Sequence, residues 1–124
     1  MEELRGPMIA AMRDGNVLVI NVGGLDTNFT EWSSPDIFPT DLIFNRKVWM
    51  DNYGARPYMK YLKEHENVGP LGINKGCFFC HDDFTIAIVT TSESTADILN
   101  LVQRLPHHAD WDKFVLTPAP MFPE

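Results

Sequence analysis

The chain has 124 residues, 44% of them hydrophobic and 22% charged, enough for one ordinary domain with its own core. Ten basic against 17 acidic side chains give a formal charge of −7, with Arg46 and Lys47 the only close basic pair. That pattern argues against a nucleic-acid partner, which would demand clustered Lys and Arg, and no apolar run reaches the roughly 18 residues of a membrane span.

The N-terminus, MEELRGPM, has neither the apolar core of a secretory leader nor the arginine-rich face of a transit peptide, so the cytoplasm is the expected compartment. There, Cys77 and Cys80 are expected as reduced thiols, and the Asn28 glycosylation triplet carries no meaning. Pro7 suits the first position of a short helix in which Leu4, Met8, Ala11 and Met12 share a face, stopped at Gly15. Asn16 to Val22 is a continuous apolar run after a helix, the pattern of a strand covered on both faces.

The stretch from Gly23 to Ala55 is rich in turn formers and aromatics. Phe29, Trp32, Phe38, Phe44 and Trp49 are placed to pin it to the core, with a short strand expected around Leu42–Phe44. Pro57 opens a second helix whose Tyr58, Tyr61, Leu62 and His65 align, ended by Gly69 and Pro70. Residues 73–80 and 84–91 read as two strands joined by a turn at His81–Asp83, the second dense in β-branched residues. Ser94 and Asp97 have capping-box spacing before a helical stripe of Ile98, Leu101, Val102 and Leu105, stopped by Pro106. Residues 113–117, KFVLT, suggest a last short strand. Residues 118–124 suggest a flexible proline-rich tail.

The sum is a single α/β domain over residues 1–117, a layered fold with a mixed sheet of about four to five strands flanked by two to three helices.

Candidate chemistry centres on C-x-x-C-H at Cys77, Cys80 and His81. The spacing is that of covalent haem attachment, with Met121 as a distant sixth ligand, but the strand–turn–strand context and the lack of a leader oppose it. Thiol–disulfide exchange needs a cysteine at a helix N-terminus, and residues three apart on a strand face opposite sides. Zinc would require a tight turn and further ligands from His107 and His108, whose adjacency departs from the usual H-x₃₋₅-H spacing. Two buried thiols are the simpler account. His65 is read as covering core, and Asp82–Asp83 as ordinary turn residues. No G-x-S-x-G elbow supplies a serine nucleophile. Gly23 and Gly24 follow a strand where a phosphate loop would sit, without either nucleotide-binding glycine motif.

AAMRDGNVLVINVGGLD and GINKGCFFCHDDFTIAIVTT, within residues 8–27 and 71–92, resemble the second half of a dynein-heavy-chain-type AAA+ module. The resemblance implies a helix and glycine turn leading to the Walker B strand, and a hairpin leading to the sensor-1 strand. It places Phe84 at the hairpin exit and Thr90 near the sensor-1 position. No Walker A loop is present, and Asn21 and Val22 stand where Asp and Glu would hold Mg²⁺ and activate water. The resemblance therefore implies a half-module scaffold without catalytic parts, in a cytoskeletal, ciliary or flagellar assembly.

With no complete catalytic constellation, the sequence reads as a non-catalytic protein-interaction module with no cofactor. Trp32, Trp49 and Tyr53 are the residue types enriched at interface hot spots, and a protein is the expected partner. Two alternatives stay open. One is a metal- or thiol-dependent enzyme using Cys77, Cys80, His81, His107 and His108. The other is a non-hydrolysing nucleotide binder using Gly23, Gly24 and Thr90.

Overall fold

The computed structural model describes residues 2–24, 29–92 and 94–113. Helix α1 (Glu2–Asp14) leads through a turn at Gly15 into strand β1 (Val17–Gly23). Three one-turn helices follow, α2 (Phe29–Trp32), α3 (Thr40–Ile43) and α4 (Arg46–Trp49), then 3₁₀ turns at Pro57–Tyr61, Glu64–Glu66 and Pro70–Gly72. Strand β2 (Thr85–Thr90), helix α5 (Thr95–Gln103) and a 3₁₀ turn at His108–Asp110 complete the described chain.

The expected four- or five-stranded mixed sheet is not present among the described residues; β1 and β2 form a two-stranded parallel sheet. Residues 114–117 of the expected last strand and the tail at 118–124 lie outside the described residues. The strand expected at Leu42–Phe44 is instead the end of α3. Its 3- and 4-residue spacing carries Thr40, Ile43 and Phe44 into the core together, whereas a strand would have turned Ile43 away from its two neighbours. The helix expected from Pro57 is a pair of 3₁₀ turns broken where Leu62 turns extended. Three residues per turn stack Tyr58 and Tyr61 on one side, both buried, while His65 is exposed rather than covering core. Strand β1 also departs from expectation: Leu18, Ile20 and Val22 are buried while Val17 and Val19 are 53% and 57% exposed, so only one face is covered.

The turn expected at His81–Asp83 is present, closed by the Phe84 N–H on the His81 carbonyl at 3.0 Å. The expected strand before it, residues 73–80, does not form, because side chains have taken the place of a neighbouring strand. The Arg56 guanidinium donates to the Phe78 carbonyl at 2.7 Å. Asn52 donates to the Cys80 carbonyl at 2.7 Å and accepts from the Cys80 N–H at 2.9 Å. Arg46 donates to the carbonyls of Asp82 and Phe84 at 3.0 and 2.5 Å. Alternate carbonyls are thus satisfied by residues 46–56, which turns Phe78, Cys80 and Phe84 into the core. Tyr58 donates its hydroxyl to the same Asn52 oxygen, fixing the amide.

Pro7 lies inside α1 rather than opening it. The preceding turn is held by Arg5, whose side chain is buried and bonds Glu2, the Tyr61 carbonyl and Glu66. The Arg5 bond, then Lys63, pulls the Glu2 carboxyl down to about 2. Burial pushes Glu66 up, but its bonds to Arg5 and the Lys63 N–H outweigh this and leave it lowered. Around these contacts sits an aromatic core of Phe29, Phe38, Trp49, Tyr58, Phe78 and Phe84, joined by Met8 and Met12 of α1.

Two outcomes are expected in denaturant unfolding. Asn52→Ala leaves the Cys80 backbone and the Tyr58 hydroxyl without partners and costs about 3 kcal/mol, well beyond a surface substitution. Arg5→Met costs about 2 kcal/mol at neutral pH. Because Glu2 and Glu66 have lowered folded pKa values, their contribution is full above the unfolded value near 4.5 and is lost as pH falls towards 2. The gap between wild type and Arg5→Met therefore narrows over that interval; a constant gap contradicts the assignment.

Candidate interaction surfaces

The residues singled out from sequence separate into three environments. Trp49 is fully buried against Tyr58 and Tyr61, so it anchors the core and is not presented to a partner. Trp32 is half-buried, its ring edge-on to the buried Phe29 at 5.1 Å. Tyr53 is fully exposed, on the turn after α4 that Asp51 stabilises by accepting from the N–H groups of Gly54 and Ala55.

Tyr53 and His81 line one open cleft of about 380 Å³, together with Asn52, Arg56, Phe79 and Asp82. His81 is held there from both sides. Its N–H donates to the Met12 carbonyl at 2.8 Å, satisfying the end of α1, and its Nδ1 accepts from the Asp83 N–H at 3.0 Å. Gly15 is required beneath it: with φ of +72°, a Cβ there would lie 2.7 Å from Nδ1. Phe79, 43% exposed, is a cleft residue that sequence reasoning passed over; its odd-numbered place between the buried Phe78 and Cys80 was the available signal.

The C-x-x-C-H residues do not form one donor set. Cys80 is buried and Cys77 exposed, and both are free thiols. Burial, opposed by Arg46 and reinforced by Asp82, pushes the Cys80 thiol up to about 12, which leaves it neutral and a poor nucleophile. His107 and His108 are exposed on the turn after α5, where a His107 ring nitrogen lies 3.0 Å from the Asp41 carbonyl. Among the described residues no three His, Cys, Asp or Glu side chains converge on a position for a metal ion.

Gly23, Gly24 and Thr90 do come together, at the carboxyl ends of the two strands. A register shift between Asn21 and Gly23 brings the Gly23 carbonyl to the Thr90 hydroxyl and the Thr91 N–H, each at 2.9 Å. Thr90 is therefore spent on closing the sheet, and α5 beyond it is capped by Ser94 accepting from the Asp97 N–H.

The sheet itself exposes the other surface. Val17, Val19 and Asn21 of β1 share the outward face with Thr85, Ala87 and Val89 of β2, a patch with no charged side chain. A second, groove-like hollow of about 320 Å³ runs beside β1, lined by Glu3, Leu4, Val19, Ile20, Asn21 and Trp32. Comparison of the chain with models of known protein families, with curated proteins and with solved structures finds no match.

Thiol labelling reads this arrangement directly. With iodoacetamide at pH 8, peptide mapping is expected to find Cys77 modified and Cys80 protected until denaturant is added. Equal labelling of both in the native protein contradicts the placement of Cys80.

Proposed function

We propose that this chain is a non-catalytic protein-interaction module. One observation carries the reading: a parallel pair of strands whose outward face is largely apolar and, among the described residues, uncovered. Parallel sheets are ordinarily covered on both faces, and two strands alone are marginal in water. Val17, Val19 and Val89 are 53%, 57% and 41% exposed on a face without charge, a surface whose burial against another protein is favourable at about 25 cal/mol per Å². The acidic balance of the chain supports a protein partner over nucleic acid, and the resemblance to half of a dynein-type AAA+ module suggests a cytoplasmic, cytoskeletal or ciliary setting.

Photo-crosslinking tests the reading. Benzoylphenylalanine placed at Val17 or Val89 is expected to trap one defined protein in a cell extract, and the same group at Lys60 to trap none. Indiscriminate products from all three positions, or none from any, refute it.

A further inference from the structure

Among the described residues, the uncovered face is bounded by a strand edge whose main chain is also unused. In a parallel ladder alternate residues of each strand turn their N–H and C=O groups towards the neighbour. The bond from the Thr85 N–H to the Asn16 carbonyl sets the phase, so the backbone groups of Val17, Val19 and Asn21 point away from β2. Among the described residues no hydrogen bond reaches the main chain of Val17 or Val19. Among the described residues this edge is paired with β2 on one side and open on the other.

The open side is not featureless. The 320 Å³ groove lies along it, with Leu4 and Ile20 on the core side and the half-buried Trp32 as a wall. Edge strands left long and apolar invite another strand, and protecting devices are few here: Val17 and Val19 carry no charge, and no proline interrupts β1. Glu3 stands at the rim, and the whole chain is acidic.

The geometry points to β1 as an acceptor edge for an extended segment of a partner protein. That segment adds as a further strand, places alternate apolar side chains over Leu4, Ile20 and Trp32, and carries a net positive charge to complement the acidic chain. The inference rests on the interaction-module reading and deepens it by naming the kind of partner. Charge complementarity selects that occupant over a second copy of this chain, which would bring another −7 to the same edge. Area agrees: a two-stranded face about 20 Å long offers on the order of 200 Å², far short of the roughly 800 Å² per partner of a stable protein interface. Main-chain bonds to an added strand make up what the face alone lacks.

The test uses the full chain as bait for a phage-displayed library of random 12-residue peptides. Selected peptides are expected to alternate apolar and polar residues and to be net positive. N-methylation of alternate backbone nitrogens in a selected peptide should weaken binding at least tenfold in one phase only. Val19→Pro removes an outward N–H without breaking the β1–β2 ladder and should abolish binding with the far-UV circular dichroism unchanged. Trp32→Ala should weaken it about tenfold, with Trp32→Phe restoring most of the loss. Should Val19→Pro unfold the chain, the phase of the N-methyl series decides alone. Peptides that bind with no such phase, or a selection that yields none, overturn the acceptor edge, while the crosslinking at Val17 and Val89 judges the module reading separately. A dimer at 100 µM that disappears in Val19→Pro overturns the partner strand in favour of a second copy.

Discussion

The fold depends on one device, the capture of the Phe78–Phe84 backbone by the side chains of Arg46, Asn52 and Arg56. Phe78–Cys80 runs extended against a neighbour made of side chains, and a turn closed by the Phe84 N–H on the His81 carbonyl follows. Phe78, Cys80 and Phe84 thus all point inward while Asp82 stays exposed. From there the consequences spread in both directions. The His81 N–H closes the last turn of α1, and Phe84 delivers the chain into β2 in register with β1. Magnitudes divide the labour. A fully buried aromatic side chain contributes roughly 3 kcal/mol, and a net hydrogen bond about 1 kcal/mol. The aromatic cluster holds the molecule together, and the amide and guanidinium groups decide which way its segments run.

That division explains the asymmetry of the molecule. Nearly all the apolar weight, from Met8 and Met12 through Phe29, Trp49 and Tyr58, lies on one side of the two strands. The opposite side receives, among the described residues, only Arg46 at the Thr85 hydroxyl and the groove wall beside β1, which is why Val17 and Val19 stay in solvent beside buried Leu18 and Ile20. Among the described residues, α1 and the connecting segment supply a single layer against the sheet, and Leu101 and Leu105 join the same core.

The elements legible in the sequence were those with a local cause. Helix α1, strand β2 and helix α5 with its Ser94 cap follow from periodicity, β-branching and capping chemistry that operate within a few residues. The sheet size was not legible: Asn16–Val22 has the same apolar density whether one face or two are covered, and only tertiary packing settles which. Residues 73–80 have the apolar and turn-flanked pattern of a strand; what stands in for a partner strand is Asn52 and two arginines far off in sequence, invisible to any local pattern. Of the candidate surface residues, Tyr53 and His81 share a cleft and Trp32 borders the β1 groove. Trp49, the same residue type as Trp32 and in an equally aromatic neighbourhood, went to the core. Residue type says what a tryptophan can do at a surface; the 3- and 4-residue spacing of the short helices says whether it reaches one.

The side-chain capture of alternate carbonyls has a consequence for how this surface can change over time. A main-chain grip is blind to what side chain a gripped residue carries outward, so Asp82, and Phe79 between the gripped Phe78 and Cys80, are anchored in space without being constrained in kind. Substitution there alters the chemistry facing solvent while leaving the path of the backbone intact. The segment is in effect a fixed mount for interchangeable side chains at those two positions, held in place by Arg46, Asn52 and Arg56.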